Sequence, residues 1–482
     1  MKTTFFRCLA AAFAVAVVGP GQTAVAGGFY VPEIGGRGTG LASAMTADSS
    51  DPSTIFHNPA GLVGVAGSQV EVGGLMVLPD ISYFRRPVQD PVSGDTVRFA
   101  GVSNANRMAG VPFIGATFQT RNPRLSIGFA VYVPFGATLE FPATGAQRFA
   151  VTEIAMRTIY AGPAIAYRVT PRLSVGAAIS YIYADLRLRQ ANALQFVTGD
   201  PEANPNPDPG VEGQTRITAS DHASLGATVG VQWGGNDDPF TVGMSVMAPT
   251  TIDLRGSAVV TNPAIMEIVD PNGGATLPAG SRTDDVLISM PLPMVVRMGM
   301  LVRPSSRVHL AMDVNWQRWS TLQNLTIDFE KEPALLLTPG ATLYDVVMNN
   351  RWRDTLSVRI GANVVPLASR PLQLRAGLFY DQSPIDDRHF DLVTPDSDKL
   401  GVATGGSYTF PVGGRQLRFD LGAVALFLRD RNIAPGDRVD PATGTVTPGS
   451  DRTILNKPAP SFYYGVTRAS VRLVNISATL LF

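Results

Sequence analysis

The sequence predicts an all-β protein: a transmembrane antiparallel β-barrel of about 14 strands with an N-terminal hatch, a plug of short helices, inside its lumen. Three observations predict it. Apolar and polar residues alternate with a period of two in about fourteen segments, each able to cross a bilayer as a tilted strand, which takes about 9 to 11 residues. The connections between them are by turns short and long. The last segment places Val474, Ile476, Ala478, Leu480 and the terminal Phe482 in one phase, the pattern of a closing strand that assembly machinery can capture by strand addition.

The chain divides in order into residues 1–26, 27–67 and 68–482. Lys2 and Arg7 flank the start of an apolar run, Cys8 to Val18, which Gly19-Pro20 breaks, and Ala24-Val25-Ala26 offers small residues for cleavage. This is the layout of a signal peptide, since the run is about half of the ~20 residues a membrane helix requires. Export is therefore expected. Cys8 is the only cysteine, so disulfides, thiol catalysis and cysteine-based zinc sites are not expected in the mature chain. Residues 27–67 are Gly-rich with two short helical stretches, and are too short to hold a core of their own. A segment of that size ahead of a barrel folds most economically inside it, because fourteen strands leave a lumen wider than wall side chains can fill.

The strand segments fall near 68–80, 109–120, 124–136, 149–168, 172–189, 221–234, 239–255, 287–303, 307–328, 350–365, 371–382, 398–410, 415–430 and 463–482. Leu356, Val358, Ile360, Ala362 and Val364 alternate with Ser357, Arg359, Gly361 and Asn363, and the stretches 223–233 and 417–427 repeat the pattern. One face suits lipid and the other water. Tight turns such as Arg121-Asn122-Pro123-Arg124 and Pro304-Ser305-Ser306 follow the even segments, whereas long polar loops such as 190–220 and 429–460 follow odd ones. A soluble sandwich or propeller would also alternate. Its outer faces would be polar, whereas here the apolar phase carries Tyr181, Tyr183, Trp233 and Trp316.

The stretches Gly28-Phe29, Gly35 to Leu41, Asp51, Asn58-Pro59-Ala60-Gly61, Val131 to Gly136, Gln382-Ser383-Pro384 and Pro395 to Asp398 resemble, as an ordered set, the FadL-type outer-membrane transporters of long-chain fatty acids and aromatic hydrocarbons. The resemblance spans nearly the whole mature chain. It implies a hatch over residues 27–67, with Asn58, Pro59, Ala60 and Gly61 ending a hatch helix, since proline fixes φ and biases its predecessor away from helix. It also implies that Phe29 lies near the ligand as a movable gate. In such transporters the third strand is kinked inward to open a side window, and Pro134, Phe135 and Gly136 stand at the matching place. Proline removes a ladder donor and glycine loosens the strand, so pairing is expected to break there.

The phase of the fifth segment turns Leu186, Leu188 and Gln190 toward the lumen and Arg187 and Arg189 away. The family's lumen lysine on the ninth segment corresponds to Thr326, a departure that leaves room for neutral hydrocarbons; Arg148 is the candidate replacement cation. The expected ligand-binding set is thus Phe29, Arg148, Leu186, Leu188 and Gln190. Arg297, Asp313, Arg359, Arg375 and Asp420 all fall on the polar phase near the short turns, and are expected to form a charged belt inside the barrel that anchors the hatch, paired because unpaired charges in a partly dry lumen are costly.

Catalysis finds little support. His57, His222, His309 and His389 are dispersed, without metal-ligand spacing, and Asp386 to Asp391 has the composition of a polar loop. No catalytic residue, metal or cofactor is expected. The function expected is passive uptake of hydrophobic small molecules across the bacterial outer membrane, captured near the extracellular loops and released by hatch movement and a lateral opening. A non-selective porin, or an outer-membrane hydrolase, is the alternative. The expected partners are the hydrophobic ligand, outer-membrane lipid and lipopolysaccharide, and the barrel-assembly machinery during biogenesis. The protein is expected to be a monomer, and its net charge of zero gives no basis for binding nucleic acid.

Overall fold

The computed structural model describes residues 28–89, 94–105, 108–193, 212–262, 266–268, 275–277, 280–329, 346–367, 370–434 and 464–482. The expected signal peptide, residues 1–26, lies outside them, as does most of the 429–460 loop. One twenty-stranded sheet contains six staves each split in two, so that it reads as a closed antiparallel barrel of 14 staves. They are β1 (Gln69–Arg85), β2 (Ala109–Gln119), β3 (Leu125–Glu140), β4 (Glu153–Arg168), β5 (Leu173–Ala193), β6 (Glu212–Trp233), β7 (Phe240–Met247 and Thr250–Asn262) and β8 (Gly280–Leu292 and Val295–Ser305). The circuit continues through β9 (Val308–Gln317 and Asn324–Phe329), β10 (Val346–Asn349 and Thr355–Val364), β11 (Leu372–Asp381), β12 (Lys399–Val412), β13 (Arg415–Leu428, then Arg431–Ile433) and β14 (Gly465–Leu481). Val102–Ser103 extends β2 beyond a break.

The barrel closes where β1 pairs with β14, from Gln69↔Leu481 to Arg85↔Gly465. Closure matters because an open sheet edge would leave backbone polar groups unsatisfied in lipid. Short turns, among them Gly413-Gly414 between β12 and β13, gather at the end where Gln69 meets Leu481. At that half of the barrel the dyad is as the sequence predicts: Leu356, Val358 and Ile360 are exposed while Ser357 and Arg359 are buried.

The staves run further than their apolar phase suggested. β6 begins at Glu212 and β5 continues to Ala193, so part of what read as the 190–220 loop is strand. The reason is an inversion of polarity. Toward the loop end, Leu186, Ile217, Ala219, Ile252, Leu254, Ile288 and Met290 are buried and point inward, while Arg187, Thr218 and Arg255 occupy the outward phase. Alternation persists, but with apolar residues inside and polar ones outside, as expected of strands that rise above the hydrocarbon core of the bilayer.

Residues 28–67 lie against the inner wall. Two short helices, α1 (Gly36–Gly40) and α2 (Thr54–His57), are followed by a 3-10 turn at Pro59–Gly64. Asn58 ends α2 in an extended conformation, and its side chain accepts a hydrogen bond from the Ala60 N–H. The same side chain donates to the carbonyls of Thr46 (2.9 Å) and of Val231 in the β6 wall (3.2 Å). So close an approach needs wall glycines. A Cβ at Gly230 would stand 2.0 Å from Asn58 Oδ1, and one at Gly176 would stand 2.5 Å from the Ala60 nitrogen.

Candidate functional site

The wall is incomplete between β2 and β3. Their ladder runs from Gln119↔Ser126 to Ile114↔Val131 and stops. The two staves meet again where Ala105 N–H donates to the Glu140 carbonyl at 2.6 Å. Between those points β3 carries an extra residue against β4, the register jumping between Tyr132↔Tyr160 and Phe135↔Thr158, which bends a strand and increases its twist. From Tyr132 to Leu139 every residue is buried, odd and even alike. The strand has therefore left the lipid-facing surface and turned inward.

The leading segment supplies what β2 withholds. Val31 N–H donates to the Pro134 carbonyl and Gly136 N–H to the Phe29 carbonyl, both at 2.8 Å, making Tyr30 and Phe135 an antiparallel bridge. These bonds lie on the edge of β3 opposite to β4, since Phe135 itself is in register with Thr158 there. Phe29 then projects into an aromatic cluster. Its ring centroid is 4.8 Å from that of Trp319, 5.6 Å from Trp352 and 6.2 Å from Phe135. Trp319 reaches this cluster because β9 is broken by a 3-10 turn, Trp319–Thr321, that throws the indole inward; its N–H donates to Gln317 Oε1 at 2.8 Å.

Phe29, Phe135, Leu186 and, at its edge, Leu188 share one apolar cluster with the inward residues of β4 to β9. Gln190 follows in the same phase, half-buried. Arg148 is brought to the roof of this cluster but has a carboxylate of its own: it is fully buried and bonds Glu212 through two nitrogens, at 2.7 and 2.9 Å. A ligand carboxylate there would have to displace Glu212. Thr326 lies on the phase opposite to Ile327, which is the buried, inward residue. Arg187 and Arg189 share Glu153 on the outer side.

The five charged residues of the other half are all buried. Three touch the leading segment directly. Arg297 donates twice to the Tyr30 hydroxyl (2.7 and 3.1 Å) and lies over the Phe56 ring. Asp313 accepts from the N–H groups of Met45 and Thr46 and from the Thr46 hydroxyl. Arg359 donates to Glu33 Oε1 and the Ala42 carbonyl while gripping Asp381 with one nitrogen at 2.7 and 2.8 Å from its two oxygens. Arg375 and Asp420 pair with each other at 2.8 Å and reach the segment at one remove. Gln373 accepts from both Arg375 and Arg37, and Arg418 bonds Asp420 and lies 3.7 Å from Asp51. Tyr30, Glu33, Arg37, Asp381 and Arg418 were not singled out in the sequence: nothing local marks the first three for wall partners hundreds of residues away, and Asp381 and Arg418 enter as neighbours of Arg359 and Asp420.

At the loop end, Asp396 accepts from Gly28 N–H and from the buried Lys399 ammonium. In the Asp386 to Asp391 stretch, Asp387 is engaged by Arg431 and Arg429, and Asp386 caps a 3-10 turn and bonds His389. Partial burial works against ionisation of Asp386, but the His389 hydrogen bonds outweigh it and hold the carboxyl below its ordinary range. These are structural partners.

Comparison with known proteins agrees with this geometry. The chain is 23% identical over 423 residues to the long-chain fatty acid transport protein of Escherichia coli O6:H1, covering 85% of this chain and 89% of that protein. It is 27% identical over 388 residues to an outer membrane protein of Neisseria meningitidis serogroup B, covering 76% and 79%. Among solved structures, a Pseudomonas aeruginosa FadL homologue superposes with a TM-score of 0.73 at 18% identity over 94% of this chain and all of that one. The P. putida toluene transporter TodX gives 0.63 at 17%, over 92% and 97%. The protein is an integral outer-membrane transport channel and not an enzyme. Residues 17–450 match the family described as outer membrane protein transport protein (OMPP1/FadL/TodX), to which the chain belongs.

Proposed function

We propose that this FadL/TodX-type outer-membrane channel for hydrophobic substrates carries long-chain fatty acids or aromatic hydrocarbons, with residues 27–67 as its plug. The solute enters from the loop end, settles in the apolar upper lumen beside Leu186, Leu188 and Gln190, and takes the place of Phe29 among Trp319, Trp352 and Phe135. It leaves sideways between β2 and β3. A sideways exit spares an apolar molecule the aqueous space below, where its solvation is unfavourable.

One observation carries this reading: the gap in the wall is stopped by Phe29–Val31 through two backbone hydrogen bonds. At about 0.5 to 1.5 kcal/mol net each, and with about 1.5 to 3 kcal/mol for the burial of a phenylalanine, this closure is within reach of a bound apolar ligand. Opening must also release the Tyr30 hydroxyl from Arg297 of the belt, while the rest of the plug keeps its contacts to Asp313 and Arg359.

The inward cations come with partners. Arg148 is held by Glu212, Arg297 by Tyr30 and Arg359 by Asp381 and Glu33. This favours a neutral solute over a carboxylate. Calorimetric titration of the detergent-purified protein is expected to show tighter binding of a monoaromatic hydrocarbon than of a fatty acid, and Phe29→Ala to strengthen it by vacating the site. Tighter fatty-acid binding that Arg148→Gln abolishes would reverse the assignment. The porin reading conflicts with the apolar upper lumen, and rapid sugar diffusion through the purified protein is the result that would restore it.

A further inference from the structure

The outward face of β4 to β7 changes character along the strands. On β5 the outward residues are Ile179, then Tyr181 and Tyr183, then Asp185, Arg187 and Arg189. The tyrosines mark the upper edge of the lipid belt, as interfacial aromatics do. Strands rise about 3.3 Å per residue and tilt about 40°, so Arg187 and Arg189 stand roughly 10 to 15 Å above Tyr183, at headgroup depth.

At that depth the arginines are under-compensated. Arg187 and Arg189, 40% and 42% exposed, share the single carboxylate of Glu153, at 3.7 and 3.0 Å. Arg189 is also directly opposite Arg216 across the β5–β6 ladder, and among the described residues no carboxylate pairs with Arg216. Like charges directly opposite one another destabilise a sheet. One row lower, a recess of ≈ 530 Å³ is lined by, among others, Arg157, Arg187, Arg255, Asp185, Asp285 and Tyr183. Asp185 is taken by Arg157 at 2.5 Å.

We propose that this surface binds the phosphorylated glycolipid of the outer leaflet, one phosphate bridging Arg189 and Arg216 and the adjoining sugar resting in the recess. A phosphate offers several acceptor oxygens, and guanidinium groups match it with paired, charge-assisted hydrogen bonds. The bridging anion removes the repulsion between the two arginines. The occupant is a lipid because, past Asp185, which Arg157 neutralises, the same outward row leads down through Tyr183 and Tyr181 to the apolar belt at Ile179.

The test uses the full-length protein extracted from outer membranes, with bound lipopolysaccharide measured per barrel by mass spectrometry. The double variant Arg189→Gln/Arg216→Gln is expected to retain about tenfold less than the wild type, in keeping with loss of charge-assisted bonds. Arg189→Lys/Arg216→Lys is expected to recover part of it, and Arg124→Gln/Arg172→Gln at the turn end to change nothing. Heat-modifiable migration reports that each variant has folded; if the Gln variant does not fold, the same comparison is made by adding purified lipopolysaccharide or phosphatidylglycerol vesicles to delipidated wild-type protein. Equal retention by wild type and Gln variant, or equal binding of the two lipids by the delipidated protein, overturns the proposal.

Discussion

Replacing Arg359 by glutamine is expected to make the channel leak small hydrophilic solutes while the barrel itself still assembles. Arg359 is the closest point at which wall and leading segment share charge, nearer than Arg418 is to Asp51. It holds Asp381 of β11 and Glu33 of the leading segment, and donates to the Ala42 carbonyl. All three side chains are buried. Removing the cation leaves two carboxylates facing each other without compensation, and breaking a buried pair of this kind costs about 3 to 5 kcal/mol. The barrel has its strand ladders to absorb that loss, whereas the leading segment, apart from the two backbone bonds of Phe29 and Val31 to β3, is held by contacts to side chains. Liposome swelling with small sugars measures the effect, and the wild type is expected to be nearly tight. An unchanged swelling rate in a folded Arg359→Gln protein would deny the belt its anchoring role.

The second large effect is expected from deleting Pro134. One extra residue on β3 separates Tyr132↔Tyr160 from Phe135↔Thr158, and Pro134 has no N–H to give a neighbour. Without it the register against β4 becomes regular, and the inward bend loses its cause. β3 is then free to pair with the upper part of β2, where Ala109 to Phe113 have partners on β1 but not on β3. The wall closes, and uptake of a radiolabelled hydrophobic solute by cells is expected to fall to the level of a strain lacking the protein, with the amount of folded barrel unchanged. Normal uptake by the deletion protein would show that the solute leaves by another route.

The lower barrel was legible in the sequence because lipid and water lie on opposite sides of every residue pair there, so Leu356 to Val364 could be read directly. The upper staves were harder. The fifth segment is legible only to residue 189, and the strand residues beyond it, from Gln190 on β5 and from Glu212 on β6, read as loop. That misreading also hid the partner of Arg148, since Glu212 opens β6 in what read as loop. That Arg297, Asp313, Arg359, Arg375 and Asp420 turn inward was visible from phase alone. Their counterparts were not: Tyr30 meets Arg297 across 267 residues, and only the closed circuit brings them together. Trp319 could not be placed in the lumen for a different reason. A period-two pattern gives no sign of a 3-10 turn that turns one indole into the lumen.

The central claim is that Phe29–Val31 is a movable stopper in the gap beside β3. It is tested most directly by tying that stopper down. Tyr30 and Phe135 form a bridge flanked by hydrogen bonds rather than joined by them, a pairing whose Cα atoms lie about 4.5 Å apart, within disulfide range. With Tyr30→Cys/Phe135→Cys in place, hydrophobic uptake is expected to be blocked under oxidising conditions and restored by a reductant. Uptake that proceeds at the same rate with the disulfide formed would contradict the account.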